Sequence, residues 1–153
     1  MSTAALGATA LLPAAAAGDL EFEYLHGGVL RGVHMASDGV TGWIAEDGGR
    51  IRFSDDGFAT WTFQTTPDTA RVQLHGIFFM DDDTTGWAVG DHHTVLRTTD
   101  GGSTWTQVAA SNLPDWPEEP EDENLWDVHC IEVEDANRET QLYGWITGRE
   151  GVL

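Results

Sequence analysis

Two aspartates, Asp56 and Asp100, are the residues of this chain whose surroundings most suggest chemistry. Each lies in a short stretch of hydroxyl residue, aspartate, glycine, threonine and tryptophan, and the two stretches are 44 residues apart. Paired carboxylates can serve as the acid and base of a glycosidase. The same residue types also build a turn, because hydroxyl and carboxylate oxygens accept hydrogen bonds from nearby backbone amides. We therefore predict no catalytic residue here and a structural role for Ser54, Asp56, Thr60, Trp61, Thr98, Asp100, Gly102, Thr104 and Trp105.

Histidines are the next candidates, as metal ligands. His34 and His129 occupy equivalent positions of a repeat, but Phe78 stands between them in the series. His92 and His93 form a pair in a polar turn without a third ligand nearby in sequence, whereas a zinc site needs three or four ligands. The sequence therefore predicts solvated or packed histidines and neither a metal nor a cofactor.

Three further features could bind or react. Cys130 lies in an apolar stretch, which predicts a buried thiol. The acidic residues between 115 and 139 could gather around Ca²⁺, but no calcium-loop spacing is present. Trp116 lies in an acidic, proline-rich insertion outside the repeat pattern, and an exposed aromatic residue there is a candidate contact with a partner.

A repeat of 44 residues must position all of these side chains. Leu30, Gly42 and Trp61 return as Leu74, Gly86 and Trp105. Each repeat reads as four short strands separated by polar turns, which indicates an all-β fold. Four strands in a unit of this length are typical of a β-propeller blade. Because Trp43, Trp87 and Trp145 recur at one blade position, we predict that all three are core residues.

A third repeat begins near Leu125 after an insertion of seven residues, and a second insertion of seven lengthens its first hairpin. The sequence ends in the third strand of this unit, so we expect about two and a half antiparallel four-stranded blades of an incomplete propeller. The remaining blades of the same protein are then absent. The predicted organisation is a signal-like segment at 1–18, a lead-in strand at 19–28, blade 1 at 29–67, blade 2 at 68–114, and an acidic insertion with a partial blade 3 at 115–153.

Charge and composition restrict the partners. The 153 residues carry 26 acidic and 7 basic residues, giving a net charge of −19. Such a field repels phosphate backbones, which argues against nucleic-acid binding, and it disfavours anionic membranes in the same way. Residues 1–18 are uncharged, small and apolar, as in a clipped secretory signal, so we expect export and no membrane insertion once the signal is removed.

The two turn stretches match the Asp-box motif, and each follows a Gly-Trp pair. Thr98, Asp100, Gly102, Thr104 and Trp105 match it fully, whereas the first copy has Phe58 at the second glycine, which leaves the tightness of that turn open. With Leu125-Trp-Asp-Val-His-Cys130 as a third blade opening, residues 28–153 resemble the BNR/Asp-box repeats of the photosystem II stability/assembly-factor-like family. The resemblance implies an exported propeller that binds proteins. It also implies an arginine-rich binding patch, which the seven scattered arginines of this chain do not match.

The preferred interpretation is therefore a non-catalytic, exported module for protein binding or complex assembly, with an unknown protein partner. The alternative is a fragment of an Asp-box glycoside hydrolase of the sialidase or xyloglucanase type. A sialidase needs an arginine triad and a tyrosine nucleophile, and the chain has only Tyr24 and Tyr143. A two-carboxylate glycosidase site remains open, since its second acid could lie in further blades.

Overall fold

The computed structural model describes residues 28–67, 72–109, 124–149 and 151–152. The predicted signal-like segment, most of the lead-in strand and Trp116 lie outside these residues. The described residues contain strands and turns and no helix, so the all-β prediction is confirmed. Within these ranges, eleven strands form three antiparallel sheets that do not close into a ring.

The first two sheets are copies of one another. Blade 1 consists of β1 (Leu30–Met35), β2 (Gly42–Glu46), β3 (Ile51–Ser54) and β4 (Thr62–Gln64), paired in that order. Blade 2 consists of β5 (Leu74–Phe79), β6 (Gly86–Gly90), β7 (Thr94–Thr98) and β8 (Thr106–Gln107), again in sequence order. Even the irregular pairing repeats, because the register shift at residues 30–32 returns at residues 74–76. The 44-residue period therefore specifies backbone geometry as well as strand order.

Blade 3 differs in its first hairpin. It consists of β9 (Leu125–Glu134), β10 (Thr140–Gly148) and β11 (Gly151–Val152), with β10 in the middle. β9 has 10 residues and β10 has 9, compared with 6 and 5 in the corresponding strands of blade 2. Asp135 stabilises the turn, since its Oδ1 accepts hydrogen bonds from the amides of Asn137 and Glu139. The extra residues therefore extend this hairpin beyond the ends of β1 and β5.

The core lies between the sheets. β1 packs beside β5, and β5 beside β9, so these strands form the inner edge of the stack. Between blades 1 and 2, Trp43 stacks on Phe79 with ring centroids 3.8 Å apart, and both are about 1% exposed. Between blades 2 and 3, the buried residues are Trp87, Val89, Val95, Leu125, Val128, Cys130 and Ile146. Removing an aromatic ring from such an interface costs about 3–5 kcal/mol, so stacking is a principal source of stability.

The prediction that Trp145 is a core residue is wrong, because Trp145 lies on an outer face of the stack. Trp145 is 43% exposed, although its repeat equivalent Trp43 is 1% exposed, because no described residue packs against that face of blade 3. At the other end of the stack, Trp61 is 40% exposed, whereas Trp105 is 4% exposed between blades 1 and 2. The position of a blade in the stack, and not the repeat position alone, decides whether its tryptophan is core.

Candidate protein-binding site

In the Asp-box turn of blade 2, both carboxylate oxygens of Asp100 accept hydrogen bonds from residues of the same turn. Asp100 Oδ1 accepts hydrogen bonds from the Thr98 hydroxyl and the Thr104 amide, both at 2.8 Å. Its Oδ2 accepts from the Thr104 hydroxyl at 2.7 Å, and the Thr98 hydroxyl oxygen accepts from the Gly102 amide at 2.9 Å. The turn of blade 1 repeats this pattern around Asp56.

These hydrogen bonds also set the ionisation of the two aspartates. The side-chain bond from Thr104 lowers the pKa of Asp100 most, followed by the bond from the Thr104 amide. The corresponding bonds from Thr60 lower the pKa of Asp56. A carboxylate held anionic in this way is a poor proton donor, and its oxygens already have partners. The geometry of these two turns is therefore that of structural aspartates.

The first turn is as tight as the second despite Phe58. Phe58 has φ 64° and its amide donates to the Ser54 hydroxyl oxygen at 2.8 Å, as the Gly102 amide does to Thr98. A positive φ costs a side-chain residue about 1–2 kcal/mol. The ring is 8% exposed and lies against Gly42, so burial of an aromatic group offsets this cost.

The Asp-box turn of blade 2 is bound to blade 1. The Gly101 carbonyl accepts from Trp43 Nε1 at 3.1 Å and from Gln64 Nε2 at 2.9 Å. Gln64 Oε1 in turn accepts from Trp105 Nε1 at 2.9 Å. Gln64 could not be predicted from the repeat, because its repeat equivalent is Val108 and only the stacked blades bring it to the turn.

A second repeated turn lies beside each Asp-box. Asp38 Oδ1 accepts from the amides of Val40 and Thr41, and Asp82 Oδ1 does the same for Thr84 and Thr85, at 2.8 Å in each case. The amides of Gly57 and Gly101 donate to carbonyls of these turns. The 44-residue spacing of Asp38 and Asp82 was a usable signal that the sequence analysis missed.

A groove of about 510 Å³ lies between β4 and the Asp-box turn of blade 2. Phe63 and Gln64 line one side, and Asp83 and Asp100 lie on the other. Phe63 is 54% exposed, so an aromatic surface borders acidic groups at this place.

The predicted histidine series lies at the inner edge of the stack. Phe78 is between His34 and His129, with ring centroids 5.4 Å and 4.6 Å away. Burial lowers the pKa of His34, against the opposing fields of Asp83 and Asp81, so its imidazole is neutral at pH 7. Within the described ranges no three histidine, cysteine or acidic side chains converge as metal ligands do. The rings pack against one another instead.

Cys130 is 6% exposed in the core between blades 2 and 3. Burial raises the pKa of its thiol to about 11. A thiol with this pKa is protonated at neutral pH and is a weak nucleophile. The predicted buried thiol is therefore what the structure contains.

The arginines of blade 1 are engaged with carboxylates. Arg31 Nε donates to Asp47 at 2.5 Å. Arg50 and Arg52 both pair with Glu46, whose side chain is fully buried. Glu46 and Asp47 thus offset two of these three positive charges locally.

Comparisons with known proteins bear on this fold. Residues 28–136 match the family model of the Photosynthesis system II assembly factor YCF48. The chain is also similar to a solved structure of YCF48 bound to D1 peptide, with 24% identity and a TM-score of 0.50 over 75% of this chain and 40% of that one. A structure of YCF48 from Cyanidioschyzon merolae is 22% identical, with a TM-score of 0.52 over 78% of this chain and 34% of that one.

The chain therefore spans less than half the length of either solved protein, and at these identities the likeness shows the propeller fold. No curated protein matches its sequence. No helix in the described part is long and apolar enough to cross a membrane. Because the matched residues 28–136 make up well over half of the chain, it belongs to the Photosynthesis system II assembly factor YCF48 family.

Proposed function

We propose that this chain is a non-catalytic protein-binding module that supports the assembly of a larger complex outside the cytoplasm. Family membership supports an assembly role, and a similar solved structure contains YCF48 bound to D1 peptide. The observation that carries the proposal is the hydrogen bonding of the Asp56 and Asp100 carboxylates. Their oxygens are bound within their own turns, which supports a structural and not a catalytic role for these two aspartates.

The partner is a protein segment, not a nucleic acid. A net charge of −19 opposes binding of phosphate backbones. The long hairpin of blade 3 supports protein binding, since Leu142 on one face of β10 and Tyr143 on the other are 49% and 50% exposed, and an exposed aromatic ring is a candidate contact with a partner. Arg31, Arg50 and Arg52 share the carboxylates of Asp47 and Glu46, so they do not support a basic patch for an acidic segment.

Peptide binding tests the proposal directly. Fluorescein-labelled extended peptides of about ten residues, with acidic, neutral or basic composition, are titrated with the purified chain and followed by fluorescence polarisation. We expect saturable binding that weakens in a Tyr143→Ser variant, with the exposed Gln107→Ser as a matched control on β8. The absence of binding by every peptide would contradict the function. Hydrolysis of chromogenic glycosides by the chain would favour the hydrolase instead.

Export is a separate part of the proposal. It is supported by the uncharged, alanine-rich residues 1–18. Fusing residues 1–27 to an alkaline phosphatase without its own signal tests it, since that enzyme is active only where disulfides form. We expect activity outside the cytoplasm, and a fusion retained inside the cell would refute export while leaving protein binding untouched.

A further inference from the structure

A cavity of about 440 Å³ opens at the inner edge of the stack, and we call it the rim pocket. His34 of β1, Phe78 of β5 and His129 of β9 form its floor, with their rings in edge-on contact. Phe78 also packs against the core between blades 2 and 3. Because each blade contributes one ring, the pocket is a property of the stacked blades and not of a single repeat.

The lengthened hairpin of blade 3 builds one wall of the rim pocket. β1 ends at Met35 and β5 at Phe79, whereas β9 continues to Glu134. Ile131 and Glu132, in this continuation, therefore line the cavity above the ring floor. Ile131 is 37% exposed and alternates with Glu132 along β9, so these two side chains point to opposite faces of the strand. The predicted seven-residue insertion thus converts an ordinary blade edge into a walled pocket.

The charges around the rim pocket have one sign. Asp81 and Asp82 lie at one side and Glu132 at the other, and no arginine is among the described residues that line it. The Asp82 carboxylate is held in place by the Thr84 and Thr85 amides. His34 does not compensate these charges, because its imidazole is neutral at pH 7. Because the Asp82 oxygens are bound within their own turn, a cation entering the pocket meets Asp81 on one side and Glu132 on the other, with the Phe78 ring at the floor.

We propose that the rim pocket binds an arginine or lysine side chain of the protein partner; this inference rests on the proposed protein-binding function. An aromatic ring such as that of Phe78 attracts a cation placed over its face. Carboxylates beside it add a further attraction that salt screens, and the alkyl stem of the side chain packs on Phe78. An acidic segment would meet repulsion at the same place. The pocket accordingly selects for a basic segment.

Three labelled peptides test the ligand class. They share an eight-residue Gly/Ser/Ala background and carry arginine, glutamine or glutamate at the centre. Fluorescence polarisation at pH 7.5 and low salt gives their dissociation constants for the full chain. We expect the arginine peptide to bind about fivefold more tightly than the glutamine peptide, and the glutamate peptide to bind most weakly.

Two double variants locate the site. Asp81→Asn with Glu132→Gln removes two carboxylates from the rim pocket, and we expect arginine-peptide affinity to fall about fivefold, close to that of glutamine. Asp55→Asn with Glu134→Gln removes the same net charge outside the pocket and should leave the preference intact. Phe78→Leu, which keeps an apolar side chain, should lower arginine affinity about threefold.

Each outcome bears on a different claim. Equal loss in both double variants would show an effect of net charge alone and overturn the pocket. Binding of all three peptides without preference for arginine would leave the protein-binding function standing and refute the inference. Failure of every peptide to bind, here and in the broader peptide set, would refute both.

Discussion

Trp43 Nε1 donates a hydrogen bond of 3.1 Å to the carbonyl oxygen of Gly101, which belongs to the Asp-box turn of the next blade. Gln64 donates to the same oxygen at 2.9 Å and accepts from Trp105 at 2.9 Å. Three side chains on two blades thus meet at one turn. Formation of the turn and stacking of the blades are therefore coupled, since neither completes these bonds alone.

Gln64 should contribute to stability well beyond its surface position. In Gln64→Ala the indole N–H of Trp105, a residue that is 4% exposed in the unsubstituted chain, loses its acceptor. A buried donor without a partner costs about 1–3 kcal/mol, so we expect the free energy of unfolding to fall by about 2 kcal/mol. Urea denaturation followed by tryptophan fluorescence measures it. Gln107→Ala on β8 is the control, and an equal loss there would refute the special role of Gln64.

Position 102 requires glycine for two reasons: its backbone has a positive φ, and Gln64 leaves no space for a side chain. Both Gly57 and Gly102 have positive φ, at 68° and 86°. A Cβ at Gly57 would meet open space, whereas one at Gly102 would lie 2.1 Å from Gln64 Oε1. We expect Gly57→Ala to cost about 1 kcal/mol from the backbone, and Gly102→Ala about 1–2 kcal/mol more as Gln64 loses its bonds.

The additional loss of stability in Gly102→Ala, relative to Gly57→Ala, should depend on Gln64. In a Gln64→Ala background, Gly102→Ala should cost no more than Gly57→Ala does, because the side chain in the way is gone. A double-mutant cycle measures this coupling. Full additivity of the two substitutions would contradict the contact.

The repeat made much of this fold predictable. The Asp-box of Asp100 depends on residues within a few positions, so its sequence specifies its hydrogen bonds wherever the blade is placed. The same holds for Asp56, although the sequence left open whether Phe58 could replace a glycine. Its positive φ is tolerated because its ring covers Gly42, a contact that no local pattern contains.

Stacking accounts for what the sequence did not predict. Trp145 and Trp43 share a repeat position, yet one is exposed and the other buried, because burial depends on the blade that packs next. Gln64 joins two blades across 37 residues of sequence to reach Gly101, and the repeat replaces it by valine in blade 2. The rim pocket combines three blades and an insertion, so no single repeat could have indicated it.

The Asp-box aspartates should make the fold sensitive to acid. Hydrogen bonds from Thr104 lower the pKa of Asp100 in the folded state. As the pH falls, the unfolded chain binds a proton at this position before the folded chain does, so the free energy of unfolding decreases. This contribution is complete above the ordinary pKa of 3.8 and is lost as the pH falls through the lower folded value.

Asp100→Asn should therefore reduce the slope of stability against pH between about pH 5 and 2. The control is Asp55→Asn in blade 1, since Asp55 takes no part in the described bonds of its Asp-box turn. Urea midpoints across this range measure both variants. If the slope of Asp100→Asn equals that of the unsubstituted chain, the carboxylate does not contribute in the way its bonds indicate.

His34 should produce a second acid effect at higher pH. Burial lowers its pKa below the ordinary 6.5, with Asp83 and Asp81 opposing the shift. Between pH 6.5 and the lower folded pKa, the unfolded chain binds the proton first, so stability decreases as the pH falls and levels off once folded His34 is also protonated. His34→Phe copies Phe78 of blade 2 and should abolish this decrease between pH 7.5 and 5, while the exposed His92→Gln should retain it. Retention of the full decrease in His34→Phe, measured by urea denaturation, would place its origin at another group.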